Sequence, residues 1–81
     1  MSEANEKGTI FDLNKKVASG RYMINPNTAN NTTDLMYAEL IQISSLYSIQ
    51  IVYSDVKLII RYGYDDNGIF GSHMSNWISI N

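Results

Sequence analysis

Two segments in the second half of the chain alternate apolar residues with polar or smaller ones. Ile49, Ile51 and Tyr53 form the first alternating series, and residues 56–62 repeat the pattern. Since successive side chains of a strand point to opposite faces, this spacing predicts two strands, or one long bent strand, in a half-buried sheet. The dipeptide Asn67-Gly68 then predicts a tight type I′ turn.

The preceding segment has a different spacing, which is typical of an amphipathic helix. Its apolar residues recur at intervals of three and four, as on one face of a helix. They are Met36, Leu40, Ile43 and Tyr47, with Leu35 and Leu46 widening the stripe. The Asn and Thr side chains of residues 28–33 favour a loop that caps a helix N-terminus. The pattern therefore predicts a helix that begins at Thr33 or Asp34.

Shorter segments near the two ends of the chain are predicted to be strands. Residues 9–13 and 21–24 contain short apolar runs, and Asn25-Pro26 ends the second of them. Residues 76–81 predict a further strand at the C-terminus. Together these elements predict an α+β fold, in which one amphipathic helix packs on a small, mostly antiparallel sheet.

The tetrapeptide Gly71–Met74 (Gly-Ser-His-Met) resembles the remnant that thrombin cleavage leaves at the start of a tagged recombinant protein. Its position indicates an engineered fusion with a domain at 1–70, a linker at 71–74 and a strand at 75–81 that completes the same domain. In a circular permutant the linker joins the natural termini, and the natural order of elements is β-β-α-β-β. In a tethered fusion, residues 75–81 are a partner's peptide. The third alternative is that the tetrapeptide belongs to the natural sequence.

Length and composition indicate one small globular domain. The chain has 81 residues, of which 44% are hydrophobic and 17% are charged, and its net charge is −2. This charge argues against nucleic acid as a partner. The apolar stretches are too short for a membrane-spanning helix, and the N-terminus has no apolar signal segment. We therefore expect a cytoplasmic protein with no membrane partner.

Residue types that commonly carry out catalysis are scarce. The chain has no cysteine, and its one histidine, His73, lies within the linker-like tetrapeptide. A histidine-dependent triad, a general-base imidazole and a conventional zinc site therefore lack their residues. The run Asp65–Gly68 has the composition of a turn and lacks the ligand spacing of a calcium loop. We predict a protein that is not an enzyme and that needs no cofactor or metal.

Aromatic residues on the predicted strands offer surfaces for binding. The chain contains six tyrosines and one tryptophan, and tyrosine, tryptophan and arginine are enriched where proteins dock. The candidate partner-binding residues are Arg61, Tyr62, Tyr64 and Trp77. We expect a small interaction or inhibitory module that binds a partner protein through a sheet face or an edge strand. The same edges allow a homodimer or a higher oligomer.

Residues 34–81, with a predicted helix, alternating strands and the terminal segment Trp77–Ile80, resemble the second half of the OB-fold B subunits of AB5 toxins. The resemblance implies a glycan-binding subunit of an oligomer as an alternative function. Those subunits usually carry a disulfide, whereas this chain has no cysteine. A weak nucleic-acid binder that uses Lys15, Lys16 and Arg21 with stacking tyrosines is a third alternative.

Overall fold

Six strands and one short 3₁₀ helix form the secondary structure of residues 6–80, the part of the chain that a computed structural model describes. The strands are β1 (Glu6–Thr9), β2 (Gly20–Ile24), β3 (Ala38–Ser44), β4 (Ser48–Tyr53), β5 (Leu58–Gly63) and β6 (Ile78–Ser79). The 3₁₀ helix is Gly71–His73. All six strands lie in one sheet, in the order in which they occur along the chain.

The sheet is mixed. β1 pairs with β2 in parallel, and each later pair of neighbours is antiparallel. β3 and β4 form a hairpin whose register runs from Glu39 opposite Tyr53 to Ser44 opposite Ser48. This hairpin lies at the centre of the sheet, so the backbone groups of both strands are paired on two sides.

The predicted helix is wrong, and with it the α+β fold and the β-β-α-β-β order. Residues 6–80 contain no α-helix, and Ala38–Ser44, in the middle of the predicted helix, is strand β3. The architecture is a six-stranded mixed sheet, not a helix packed on a sheet.

The backbone at the predicted helix start explains part of this difference. Asp34 has a φ of 67°, in the left-handed region, which a right-handed helix does not use. Asn31 Oδ1 accepts a hydrogen bond from the Thr33 amide at 3.1 Å, and Thr33 Oγ1 accepts one from the Leu35 amide at 3.1 Å. The polar side chains predicted to cap a helix therefore close loop turns, a common alternative for these residue types.

The apolar residues of β3 fit the period of a strand as well as that of a helix. Ala38, Leu40 and Gln42 are buried, whereas Ile43 is exposed. Ile41 and Ile43 are β-branched, and such residues favour the pleated surface of a sheet. Residues 39–42 are in register with β2 on one side and with β4 on the other, so tertiary pairing holds this segment in the extended conformation.

The terminal strands also differ from prediction in position. β1 is Glu6–Thr9 instead of residues 9–13, which mostly form a loop. At the other end, Ile78–Ser79 form the only strand among the described residues 76–80 of the strand predicted at 76–81, whose last residue lies outside the described part, and this strand pairs with β5. β1 and β6 therefore lie at opposite edges of the sheet and do not pair with each other.

The tetrapeptide Gly71–Met74 is part of the fold. It forms the 3₁₀ turn and an isolated antiparallel bridge between Gly63 and Met74. The turn predicted at Asn67-Gly68 is confirmed: both residues have positive φ, 53° and 86°. Asp66 and Ile69 flank it and exchange backbone hydrogen bonds of 2.8 and 3.1 Å.

One face of the sheet, called the inner face, carries the hydrophobic core. Its buried members come from four strands and from the loop after β1, and they are Ile10, Leu13, Tyr22, Ile24, Ala38, Leu40, Val52 and Ile59. Val17, Leu35 and Trp77 pack against this cluster from the loops. Loop segments thus cover the inner face, where the prediction placed a helix.

Candidate interaction surface

The outer face of the sheet, called the open face, consists of three rows of residues. Residues in register on neighbouring strands share a face, so the pairing defines each row. The middle row is Arg21, Ile41, Ile51, Ile60 and Ile78. The two flanking rows are Met23, Glu39, Tyr53 and Leu58 on one side, and Ile43, Ile49 and Tyr62 on the other. Ile80 extends the first flanking row, since its amide donates to the Leu58 carbonyl at 2.9 Å.

Much of the open face is apolar surface exposed to solvent. Tyr62 is 55% exposed, Ile43 is 46% exposed and Ile78 is 42% exposed. Met23, Ile49, Leu58 and Ile80 are also exposed, and the middle-row isoleucines Ile41, Ile51 and Ile60 are half-buried by their neighbours. Single exposed apolar residues are ordinary, whereas a contiguous apolar face of this kind is a candidate binding surface.

A polar group interrupts the open face near one edge. Glu39 Oε1 accepts a hydrogen bond from the Tyr53 hydroxyl at 3.1 Å and lies 3.6 Å from Arg21 Nε. Burial, together with the hydrogen bond and negative charge of Glu39, raises the pKa of Tyr53 above its ordinary value. These charges neutralise each other on the surface, so they do not prevent an apolar partner from covering the rest of the face.

The inner face, in contrast, is polar at one end. Gln42, Gln50 and Arg61 are buried side by side in neighbouring strands. Gln50 Nε2 donates to Gln42 Oε1 at 3.0 Å and to the Leu13 carbonyl at 2.9 Å. Arg61 Nη2 donates to the same carbonyl at 2.7 Å and to Asn14 Oδ1 at 3.0 Å. This network ties the loop after β1 to three strands.

Arg61 is buried among neutral hydrogen-bond acceptors. Burial lowers the pKa of Arg61 to about 10, and the negative charge of Asp12 opposes that shift. The guanidinium carbon lies 4.5 Å from the centroid of the Trp77 ring, a favourable cation–π distance. At neutral pH the side chain is therefore a charged group whose role in the fold is to join the network and to support Trp77.

The four predicted partner-binding residues do not share one surface. Arg61 is only 7% exposed, and Trp77 covers it on the inner side. Tyr62 lies on the open face, and Tyr64 stacks on His73 with ring centroids 4.6 Å apart. Of the four, only Tyr62 belongs to the continuous apolar face.

The isoleucines of the open face are the residues that the sequence interpretation missed. Alternation in β4 and β5 showed that Ile49 and Ile51 share a face, and the pattern is observed. The sequence contained one signal. Gln50 and Arg61 are polar residues on the face opposite the isoleucines, so neither face of the sheet is purely polar and polarity alone does not identify the buried face. Isoleucine usually lies on the face of a sheet that packs in the core. Periodicity alone would therefore place Ile49 and Ile51 on the inner face, whereas they lie on the open face.

A concave region lies at the tip of the β3–β4 hairpin. This tyrosine pocket has a volume of about 370 Å³ and is lined by Lys16, Leu46, Tyr47, Tyr64 and Asp65. Lys16 Nζ donates to Asp65 Oδ1 at 3.0 Å and to the Ser45 carbonyl at 2.7 Å. The pocket therefore combines two aromatic rings with a positioned ion pair.

The basic residues named for nucleic-acid binding do not form one patch. Arg21 is on the open face beside Glu39, while Lys16 is bound to Asp65 in the tyrosine pocket. Within residues 6–80, no group of three or more His, Asp or Glu side chains is positioned to hold a metal ion.

Comparison with known proteins found no match to any family model, curated protein or solved structure. The helix that contributed to the resemblance to toxin B subunits is absent from the described residues. In the same part of the chain, no helix has the length and apolar character needed to cross a membrane.

Proposed function

We propose that this chain is a small protein-interaction module that holds a partner protein on its open face. The observation that supports this function is the continuous apolar surface formed by the open-face isoleucines of β3, β4, β5 and β6. Covering that surface would remove it from water and supply the second apolar layer that a single sheet lacks.

The size of the open face supports the proposal. The exposed portions of its apolar residues amount to roughly 600 Å², at the upper limit of the apolar patches that monomeric proteins leave in water. Transfer of such an area out of water corresponds to roughly 15 kcal/mol before the costs of association are subtracted. The loss of translational and rotational freedom costs about 4–15 kcal/mol, so the gain from the apolar area and the cost of association are of the same order.

The test is a pull-down in which the chain is the bait, and it compares the wild type with two matched substitutions. Ile51→Lys places a charge at the centre of the open face, and Phe11→Lys makes the same change at a residue that is 79% exposed in the loop after β1. We expect a partner protein to be retained by the wild type and by F11K, and to be lost with I51K. Equal retention by all three chains would contradict binding through the open face.

Glycan binding is a second candidate, and the tyrosine pocket is the observation that favours it. Aromatic rings such as Tyr47 and Tyr64 stack on the apolar faces of sugar rings, while an ammonium and a carboxylate hydrogen-bond to hydroxyl groups. A short oligosaccharide has the dimensions to occupy this pocket. Since the predicted helix is absent, this candidate now rests on the pocket and not on the resemblance to toxin subunits.

A saccharide titration followed by NMR tests the second candidate. Chemical-shift changes are expected at Tyr47, Tyr64 and Lys16, and Y47A should abolish them. Tyr37→Ala is the matched control, because Tyr37 is 75% exposed and does not line the pocket. Shifts that persist in Y47A, or that are absent for every sugar tested at millimolar concentration, would contradict glycan binding there.

A further inference from the structure

We propose that the partner on the open face is a second copy of this chain, so that two sheets pack face to face as a sandwich. The inference rests on the proposed function, since it uses the same surface and identifies what covers it. Stacked sheets in sandwiches lie about 10 Å apart with side chains interdigitating, and β-branched residues suit this arrangement.

The register of the sheet makes the open face self-complementary. In the middle row, Ile51 has Ile41 on one side and Ile60 on the other. A two-fold axis that passes over Ile51 parallel to the strands therefore places Ile41 of each copy against Ile60 of the other. Closed two-fold dimers need such a patch, because each copy presents the same surface to the other.

The charges of the open face are compatible with this packing. On β2 to β6, the charged residues of the three rows are Arg21 and Glu39, which lie 3.6 Å apart near one edge. Two copies stacked about Ile51 bring apolar rows together at the centre and keep the ion pair towards the margin. No unpaired charge from these rows has to enter the contact, which would otherwise be strongly unfavourable.

The area is sufficient for a specific dimer. Roughly 600 Å² of apolar surface from each copy gives a contact of about 1,200 Å², the lower limit of standard stable interfaces. The small size of the chain strengthens the argument, because a domain of this length buries only part of its apolar surface by itself.

Molar mass in solution is the primary test. One chain has a mass of 9.2 kDa, and we expect twice that value by light scattering after size exclusion. The measurement is made at about 100 μM, where a dimer with micromolar affinity is almost fully associated. A single-chain mass at this concentration would overturn the inference.

Two variants locate the contact. I51K should give the mass of one chain, while F11K should keep the mass of two chains. If I51K does not fold, as judged by circular dichroism and urea denaturation, I43K takes its place, because Ile43 is 46% exposed at the margin of the face. We expect I43K to weaken association at least about tenfold. An I51K or I43K chain that folds and still dimerises like the wild type would overturn the inference.

Mixing oppositely charged variants tests the position of the axis. I51K alone and I51E alone should each remain single chains, because like charges meet at the axis. An equal mixture should regain the mass of two chains, since the introduced charges then have opposite sign across the axis. A mixture that stays monomeric would overturn the placement of the two-fold axis at Ile51.

Failure of the inference is distinguishable from failure of the proposed function. A wild-type chain that is monomeric, yet retains another protein in a manner sensitive to I51K, disproves the second copy and supports the open face as a binding surface. A monomeric chain whose retention of other proteins is unaffected by I51K contradicts both.

Discussion

Arg61 Nε donates a hydrogen bond of 2.6 Å to Gln50 Oε1, and both side chains are buried on the inner face of the sheet. The two residues are also cross-strand partners in the register of β4 and β5. Their contact places the polar part of the core on the same face as the apolar cluster. Ile49, Ile51 and Ile60 of these strands consequently lie on the opposite, open face, on which both the proposed function and the dimer depend.

Substitution of Arg61 by Lys is expected to destabilise the fold by about 2–3 kcal/mol, because buried acceptors that lose their donor are costly. An ammonium lacks the planar fork that reaches Gln50 and the Leu13 carbonyl together. Arg21→Lys is the matched control, and it should change the free energy of unfolding by less than about 1 kcal/mol, since its ion pair is exposed. Urea denaturation of both variants measures the difference, and equal effects would contradict a structural role for the buried network.

Substitution of Gly63 by Ala tests how closely the C-terminal segment packs on β5. A Cβ at this position would lie 2.2 Å from the carbonyl oxygen of His73 and 2.7 Å from the Cα of Met74. Backbone atoms cannot yield as a flexible side chain does, so we expect a loss of at least about 2 kcal/mol. Amide exchange should also accelerate at Ser75 and Ile80, whose amides donate to β5.

Gly68→Ala provides the comparison for Gly63→Ala. Gly68 has a φ of 86°, but a Cβ there meets no atom within 4 Å. Its substitution should cost only about 1 kcal/mol through backbone strain. If G68A destabilised the chain more than G63A, the close approach of the C-terminal segment would be disproved.

Removal of the Trp77 side chain is expected to destabilise the fold by about 2–3 kcal/mol, because the ring packs against the core cluster. The ring also stacks on Arg61 and donates from Nε1 to Thr32 Oγ1 at 3.0 Å. Leu46→Ala, at a residue that is 78% exposed on the hairpin tip, should cost less than about 1 kcal/mol. Thermal denaturation of W77A and L46A provides the measurement, and an unchanged melting temperature for W77A would show that the C-terminal segment does not support the core.

Acid should weaken the fold partly through Asp65. The Lys16 ammonium first, and then the Gly68 amide, lower the pKa of this carboxyl below its ordinary value of 3.8. As the pH falls, the unfolded chain therefore takes up the proton before the folded chain does. The stabilisation is complete above the ordinary pKa and is lost as the pH falls through the folded-state value.

The acid effect is tested by comparing wild type with Asp65→Asn and Lys16→Met between about pH 6 and pH 3. The melting temperature of both variants should fall less over this pH range than that of the wild type, because each variant lacks one partner of the ion pair. Parallel pH curves for the three chains would show that this contact makes no contribution to acid sensitivity.

Sequence periodicity predicted the strands that follow Ser48 but not the strand that precedes it. In β4, the pattern is unambiguous because polar and apolar residues alternate strictly from Ser48 to Ile51. In the segment before it, Leu40 and Ile43 fit a helical stripe and a strand equally well. Pairing with β2 on one side and β4 on the other makes this segment a strand. That pairing joins residues up to 22 positions apart in the sequence, such as Gly20 and Gln42.

Candidate binding residues were less predictable than strands. Aromatic and arginine side chains are enriched at interfaces, and that tendency selected Tyr62, which is exposed, together with Arg61, which is buried. Residue type cannot distinguish these neighbours, because exposure depends on which face the loops cover. The isoleucines of the open face were overlooked for the same reason.

By itself, the sequence determined the alternating strands β4 and β5 and the turn at Asn67-Gly68. Both depend on side-chain spacing and backbone preferences within a few residues. Tertiary structure alone decided that β3 is a strand and that the isoleucine face stays open. The loop after β1 packs on the other face, where the Leu13 carbonyl accepts a hydrogen bond from Arg61 at 2.7 Å. Such a contact joins residues 48 positions apart, so no local pattern of hydrophobic and polar residues encodes it.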